Sequence, residues 1–272
     1  MIDNENEVPI YCKMIIRSSA TLIEIIGGQP LDRLKINYQL PKKYRLPTRQ
    51  LLKLGPKEFY TASYTSIFQR CILYIPSIYF LGEYYDNNLS LNNNSDNIIK
   101  PLFISSIITP QVSLFESLKT DQQVKNIKDP VKHIFKKYNT GGIKNIIPSF
   151  TATFLREASF SAGICVIIPI INNKLNNKLN DTNTIYFDKF NKPLLSGMIA
   201  GAITQILSQP FDTIKTHQEY DSRYNFMKTT KILYNNDGLL GFFNGGLPRC
   251  IRGVWTLGCL SYCTSYLTNK LN

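Results

Sequence analysis

The stretch QPFDTIK, residues 209–215, ends the apolar run PLLSGMIAGAITQILS, and the same pattern, QPLDRLK, stands at residues 29–35. A third copy without its proline lies in SLFESLKTDQQ, residues 113–123. Aligned on the acid, the copies place Asp32, Glu116 and Asp212 at separations of 84 and 96 residues. Each acid is followed three residues later by a lysine: Lys35, Lys119 and Lys215. Proline has no N–H and crowds the preceding turn, so Pro30 and Pro210 are expected to bend their helices. An acid and a base at i and i+3 share one helix face, where one such pair contributes only about 0.2–0.5 kcal/mol. Three copies in register are a repeat, and a repeat outranks any single local feature.

Working outward, six segments, roughly residues 10–38, 59–85, 98–119, 149–171, 193–216 and 247–268, are apolar but carry Ser, Thr, Gln or a charge. None is a clean run of about 20 apolar residues, and the mean hydropathy of −0.13 agrees. A soluble helical protein and a membrane bundle around a water-filled cavity both fit this pattern, since intramembrane polar groups are tolerated when they face such a cavity. The connections favour the bundle. Stretches 40–57, 121–147 and 217–246 hold fifteen Lys or Arg, whereas the termini and the connections 86–97 and 172–192 hold far fewer. Sorting of positive charge by alternate loops is a membrane signature. The low-charge connections contain the Asn-rich tracts NNLSLNNNSDN and NNKLNNKLN, read as low-complexity insertions.

The remaining composition narrows the function. The formal charge of +12 is spread along the chain with no dense basic arm, which argues against nucleic acid and for anionic ligands or an anionic membrane surface. Six cysteines, Cys12, Cys71, Cys165, Cys250, Cys259 and Cys263, form no CxxC pair and read as small hydrophobes. With His133 and His217 as the only histidines, no metal site or nucleophile–base pair is supplied, so an enzyme is not expected. The N-terminus, MIDNENEVPIYCK, has the form of neither a secretory signal nor an Arg-rich transit peptide.

Beyond the third motif comes NNDGLLGFFNGGLPRCIRG, residues 235–253; beyond the second, NTGGIKNIIPSFTATFLRE, residues 139–157; beyond the first, KLGPKEFYTASYTSIFQR, residues 53–70. Proline, acid and base, followed by an acid–glycine pair and an aromatic–x–glycine, resembles the signature of the mitochondrial carrier family. The third repeat matches at Pro210, Asp212, Lys215, Asp237, Gly238, Gly241, Phe243 and Gly245. The resemblance implies an all-α membrane protein: six transmembrane helices in three pseudo-symmetric two-helix repeats around a central cavity, with short matrix helices. The repeats would be 1–97, 98–192 and 193–272, forming one integrated transmembrane domain. It implies a monomer in the mitochondrial inner membrane that needs no cofactor or metal, and cardiolipin as a lipid partner near Gly142, Gly238 and Gly245.

The resemblance also implies a matrix gate in which Asp32 pairs with Lys119, Glu116 with Lys215, and Asp212 with Lys35. Gln39 and Gln123 would brace it from four residues after the lysine, where the third repeat has Glu219 instead. Partly exposed ion pairs contribute roughly 0–1 kcal/mol each, a latch that substrate binding can release. Carried over to the even helices, the substrate contacts are Gln69 and Arg70, Arg156 and Glu157, and Arg252 with Gly253. Two arginines and a glutamate suit a carboxylate, with an amine beside it, because the planar guanidinium takes a carboxylate through two bonds. The expected cargo is therefore an anionic or zwitterionic metabolite of amino-acid type, moved by alternating access or antiport. The alternative cargo is a di- or tricarboxylate held by Arg70, Arg156 and Arg252 together.

Departures from the pattern are visible too. Leu114 replaces the second motif's proline, with Pro110 one turn earlier as a displaced bend, and Ala62 and Ser149 stand at family glycines. The opposite-face latch is incomplete around Glu83, Pro169 and Ser265, with Lys174 and Lys270 lacking matching acids, so a weak outer gate is expected. Such erosion keeps a second class open, a carrier-shaped membrane adaptor or insertion factor that no longer transports.

Overall fold

The computed structural model of the chain describes residues 9–41, 44–53, 55–90, 96–125, 127, 129–179, 185–221 and 224–271. Side chains are described for these residues except 52, 97–98, 162–166, 168–169, 172–179, 185–193, 261 and 264–271. The cysteine at 165, the outer-latch positions Pro169, Lys174, Ser265 and Lys270, and the first eight residues lie outside that description.

All regular structure among the described residues is helical. A long helix α1 (Ile10–Gln39) is followed by short α2 (Thr48–Lys53) and α3 (Pro56–Phe59). The second long rod runs as α4 (Ser63–Ile67), a π-helical turn (Phe68–Tyr74) and α5 (Ile75–Asn88). Long α6 (Asp96–Lys125), short α7 (Pro130–Gly141) and α8 (Ile143–Ile146), and long α9 (Phe150–Leu179) repeat the order. So do long α10 (Ile185–Tyr220), short α11 (Phe226–Asp237) with a 3-10 turn (Leu239–Phe243), and long α12 (Gly246–Leu271). Four of the six apolar segments lie wholly within a long rod, whereas 59–85 begins at the end of α3 and 149–171 begins one residue before α9.

The Asn-rich connection expected over 172–192 is helical at 172–179 and again at 185–192. No Gly or Pro interrupts 171–192, and Asn alone is a weak helix breaker beside those two. Helix α6 likewise starts at Asp96, before the expected boundary, and runs unbroken through Pro101 and Pro110. At Pro30 the missing N–H leaves the Ile26 carbonyl without its helical donor, and the Tyr60 hydroxyl supplies one at 3.0 Å. The short helices end alike: α7 stops at Gly142 (φ 63°) and α11 at Gly238 (φ 65°), the left-handed geometry that glycine adopts without strain.

The long rods pack in a closed order, each against the next, with α12 returning to α1. Between α10 and α12 the backbones touch, since a Cβ on Gly201 would strike the Gly253 carbonyl. Gly253 therefore faces α10 rather than a cavity, which corrects its expected place among the substrate contacts. Buried positions are mostly polar, and large apolar side chains such as Tyr64, Leu240 and Met227 face outward. That is the reverse of a water-soluble core. Among the described residues no helix is long and apolar enough to cross a membrane; the polar inward faces are what lower each helix's average.

Candidate functional site

Within each repeat a polar side chain ties the first long helix to the start of the second. Gln29 Nε2 donates to Ser66 Oγ at 2.8 Å, Ser113 meets Ser149 at 3.5 Å, and Gln209 Nε2 donates to the Asn244 carbonyl at 2.8 Å. These ties fix the motif helices so that the acids and lysines three to six residues further along converge. Lys119 pairs with Asp32, Lys215 with Glu116, and Lys35 Nζ lies 2.7 Å from Asp212 Oδ2. Every one of these pairs joins two different odd helices of the three.

The ring is more buried and more connected than three exposed pairs. The lysine side chains are 13%, 14% and 6% exposed, and Asp212 is fully buried. Each acid also receives an arginine. Arg252 Nε lies 2.5 Å from Asp32, and Arg156 Nη1 lies 2.7 Å from Glu116. Arg156 and Arg249 reach Asp212 at 3.3 and 3.6 Å. Gln39 sits where a brace belongs, donating to Asp212 at 2.7 Å and accepting from Thr216 at 2.8 Å. Gln123 does not: its amide has no hydrogen-bond partner among the described residues, although it is buried. The expected brace at Lys119–Asp32 is therefore replaced by Arg252.

Above the ring lies a cavity of about 190 Å³. Gln69, Arg70, Arg156, Glu157 and Arg252 all line it, together with the six ring residues. Eight basic side chains (Arg17, Lys35, Arg70, Lys119, Arg156, Lys215, Arg249 and Arg252) face four acids (Asp32, Glu116, Glu157 and Asp212), a surplus of four positive charges. Arg156 also pairs with its neighbour Glu157, whose carboxylate accepts from the Tyr74 hydroxyl at 3.5 Å.

Sequence reasoning missed the acid beneath this wall. Glu24, in the middle of α1, is buried and takes Arg70, Arg252 at 3.2 Å and the Thr256 hydroxyl at 2.8 Å. Its signal was a lone carboxylate in the apolar run TLIEIIGG, and an intramembrane ionisable residue is by default a functional candidate. Arg249 was missed as well. It is buried between α10 and α12 and donates to Gln205 at 2.6 Å, Ser208 at 2.8 Å and Gln209 at 3.1 Å.

An inverted polarity, a repeated helix–short helix–helix order and a charged central cavity define a class: all-helical proteins built around a polar cavity. The Mitochondrial carrier protein family model matches residues 187–271. The chain is 33% identical to a mitochondrial glycine transporter of Xenopus laevis over 120 residues, 42% of this chain and 37% of that relative. It is 30% identical to the mitochondrial glycine transporter of Homo sapiens over 117 residues, again 42% and 37%. An uncharacterized mitochondrial carrier of Caenorhabditis elegans is 22% identical over 243 residues, 79% of this chain and 66% of the relative. The chain thus spans little more than a third of the length of the glycine transporters it matches.

Proposed function

We propose that this chain carries a small amino acid, glycine or a close analogue, across the inner membrane by alternating access. The six long rods cross the bilayer as three repeats, 1–97, 98–192 and 193–272, in one transmembrane domain. Asp32, Lys35, Glu116, Lys119, Asp212 and Lys215 form the matrix gate. The protein acts as a monomer, and its basic matrix loops and the helix ends at Gly142, Gly238 and Gly245 hold cardiolipin.

One observation carries the reading: the arginines that line the cavity are the same ones that hold the ring acids. Arg156 bonds Glu116 and Asp212, and Arg252 bonds Asp32. A substrate carboxylate that takes Arg156 and Arg252 competes directly with the gate acids, so binding loosens the latch. The ammonium of the substrate has Glu157 and the Tyr74 hydroxyl to meet it. Cavity size favours a small cargo, because 190 Å³ is below the about 300–1,000 Å³ of sites for drug-sized ligands. The di- or tricarboxylate alternative is weakened by Glu24, which already occupies Arg70, the arginine that only that alternative needs.

The test is binding followed by transport. Purified protein is melted with glycine, other amino acids, keto acids, di- and tricarboxylates and nucleotides, since a ligand of the folded state raises Tm by mass action. Glycine is expected to raise Tm in the wild type and not in Arg156→Ala or Arg252→Ala, and reconstituted vesicles are expected to take up labelled glycine. Cooperative melting with no shift from any metabolite, and vesicles without uptake, would instead favour a non-transporting adaptor.

A further inference from the structure

Lys215 has two carboxylates within reach, and only one belongs to the ring. It pairs with Glu116 of α6, and its Nζ also lies 3.4 Å from Oε1 of Glu219, one turn along its own helix. Glu219 is 2% exposed. Its oxygens accept from Thr120 Oγ1 of α6 at 2.6 Å and from Ser149 Oγ, just before α9, at 3.1 Å. The other cation of this corner, Arg156 of α9, sits on Glu116 at 2.7 Å. Glu116 therefore holds two cations, while Glu219 has a distant share of one.

Two carboxylates crowded into a dry corner do not both stay ionised when the cations are unequally shared, and the proton goes to the worse-served group. Hydroxyls both donate and accept. Thr120 and Ser149 thus satisfy a neutral Glu219 as well as a charged one. The corresponding residues of the other two corners are Gln39 and Gln123, amides that do not titrate.

We propose that Glu219 is a proton-binding site that makes opening of the matrix gate depend on matrix pH. While the gate is closed, Lys215 is latched to Glu116 and Glu219 carries a proton. When α6 and α10 separate, Lys215 stays one turn from Glu219 and passes to it, because both ride on α10. The Glu219 O–H bond breaks and its proton leaves to matrix water. Glu116 keeps Arg156 as its counter-ion. Each opening releases one proton into the matrix and each closing takes it back, so an alkaline matrix favours the open gate. The proposal rests on the carrier reading for the gate but not for the proton.

Infrared spectroscopy of the purified full chain reads the proton directly. At neutral pH the wild type is expected to show a protonated-carboxyl C=O band that Glu219→Gln lacks; superimposable spectra overturn the proposal. Should Glu219→Gln fail to fold, Thr120→Val is the second variant, and removal of its hydroxyl is expected to shift the same band. An unmoved band overturns the assignment to Glu219. In proteoliposomes, glycine exchange by the wild type is expected to rise with pH and that by Glu219→Gln to lose this dependence. Parallel profiles overturn the gating role, His133 and His217 being present in both proteins. The infrared comparison uses no substrate, so absence of glycine transport would sink the cargo assignment and leave the proton site intact.

Discussion

Glu24 shows how far one residue can decide the charge state of a cavity. It neutralises Arg70 and Arg252 from beneath, with its side chain fully buried. Removing one partner of a buried ion pair leaves an uncompensated charge and costs about 3–5 kcal/mol. Glu24→Gln is therefore expected to lower Tm sharply in thermal unfolding. Glu24→Leu combined with Arg70→Met is expected to cost less than the sum of the single changes, the non-additivity that marks a direct pair. Asp121, beyond the apolar segment 98–119, gives a pH-dependent case. Burial pushes its carboxyl up, but Lys137 and Lys125 pull it down further and leave it below the ordinary value. A depressed folded-state value gives stability above the unfolded value of about 3.9 that is lost as pH falls through the folded one. Asp121→Asn is thus expected to melt lower than wild type at neutral pH, with the gap closing below about pH 4. Neither residue belongs to the repeated acid–lysine pattern, so the resemblance points to neither; only the cost of isolated charge in an apolar run marks Glu24.

At the scale of elements, the sequence carried the helices well and their contacts less well. Hydropathy located all six long rods because each needs an outward apolar face. It misjudged the ends of α6, α9 and α10, where helical backbone continues into Asn-rich sequence with no Pro or Gly to stop it. The π-helical turn Phe68–Tyr74 had no sequence signal, and it sits where Gln69 and Arg70 reach the cavity. π turns gather at functional sites, where the extra residue re-aims the side chains that follow. The crossing of α10 and α12 was legible only in part. Gly197 and Gly201 stand four residues apart in SGMIAG, a spacing that permits close helix approach, but nothing in it shows that Gly201 meets Gly253. Gly201→Leu is expected to force the two backbones apart and cost about 1–3 kcal/mol as overpacking. A fall in Tm for Gly201→Leu without a comparable fall for Gly82→Ala, whose Cβ would meet only the end of the Lys100 side chain at 3.6 Å, would separate packing from a general loss of glycine.

For the whole molecule, the three corners of the ring are alike in sequence and unequal in surroundings. The pairing of Asp32, Glu116 and Asp212 with Lys119, Lys215 and Lys35 follows from the repeat, whereas the arginines that join them come from distant helices that no local spacing reveals. Lys119–Asp32 has one further cation, Arg252. Lys215–Glu116 has Arg156 and the extra carboxylate Glu219. Lys35–Asp212 has Gln39, Arg156 and Arg249, all directed at an acid with no exposure. Exchanging acid and base within a pair keeps its own attraction but sets the new lysine against every surrounding cation. Rescue by exchange is therefore expected to be best for Asp32→Lys with Lys119→Asp, poorer for Glu116→Lys with Lys215→Glu, and absent for Asp212→Lys with Lys35→Asp. Each single change should abolish uptake in proteoliposomes, leaving one buried charge unpaired, and the double variants should recover it in that order. Equal recovery at all three corners would mean that the ring pairs act independently of the arginines. The substrate would then lose its route to the gate through Arg156 and Arg252.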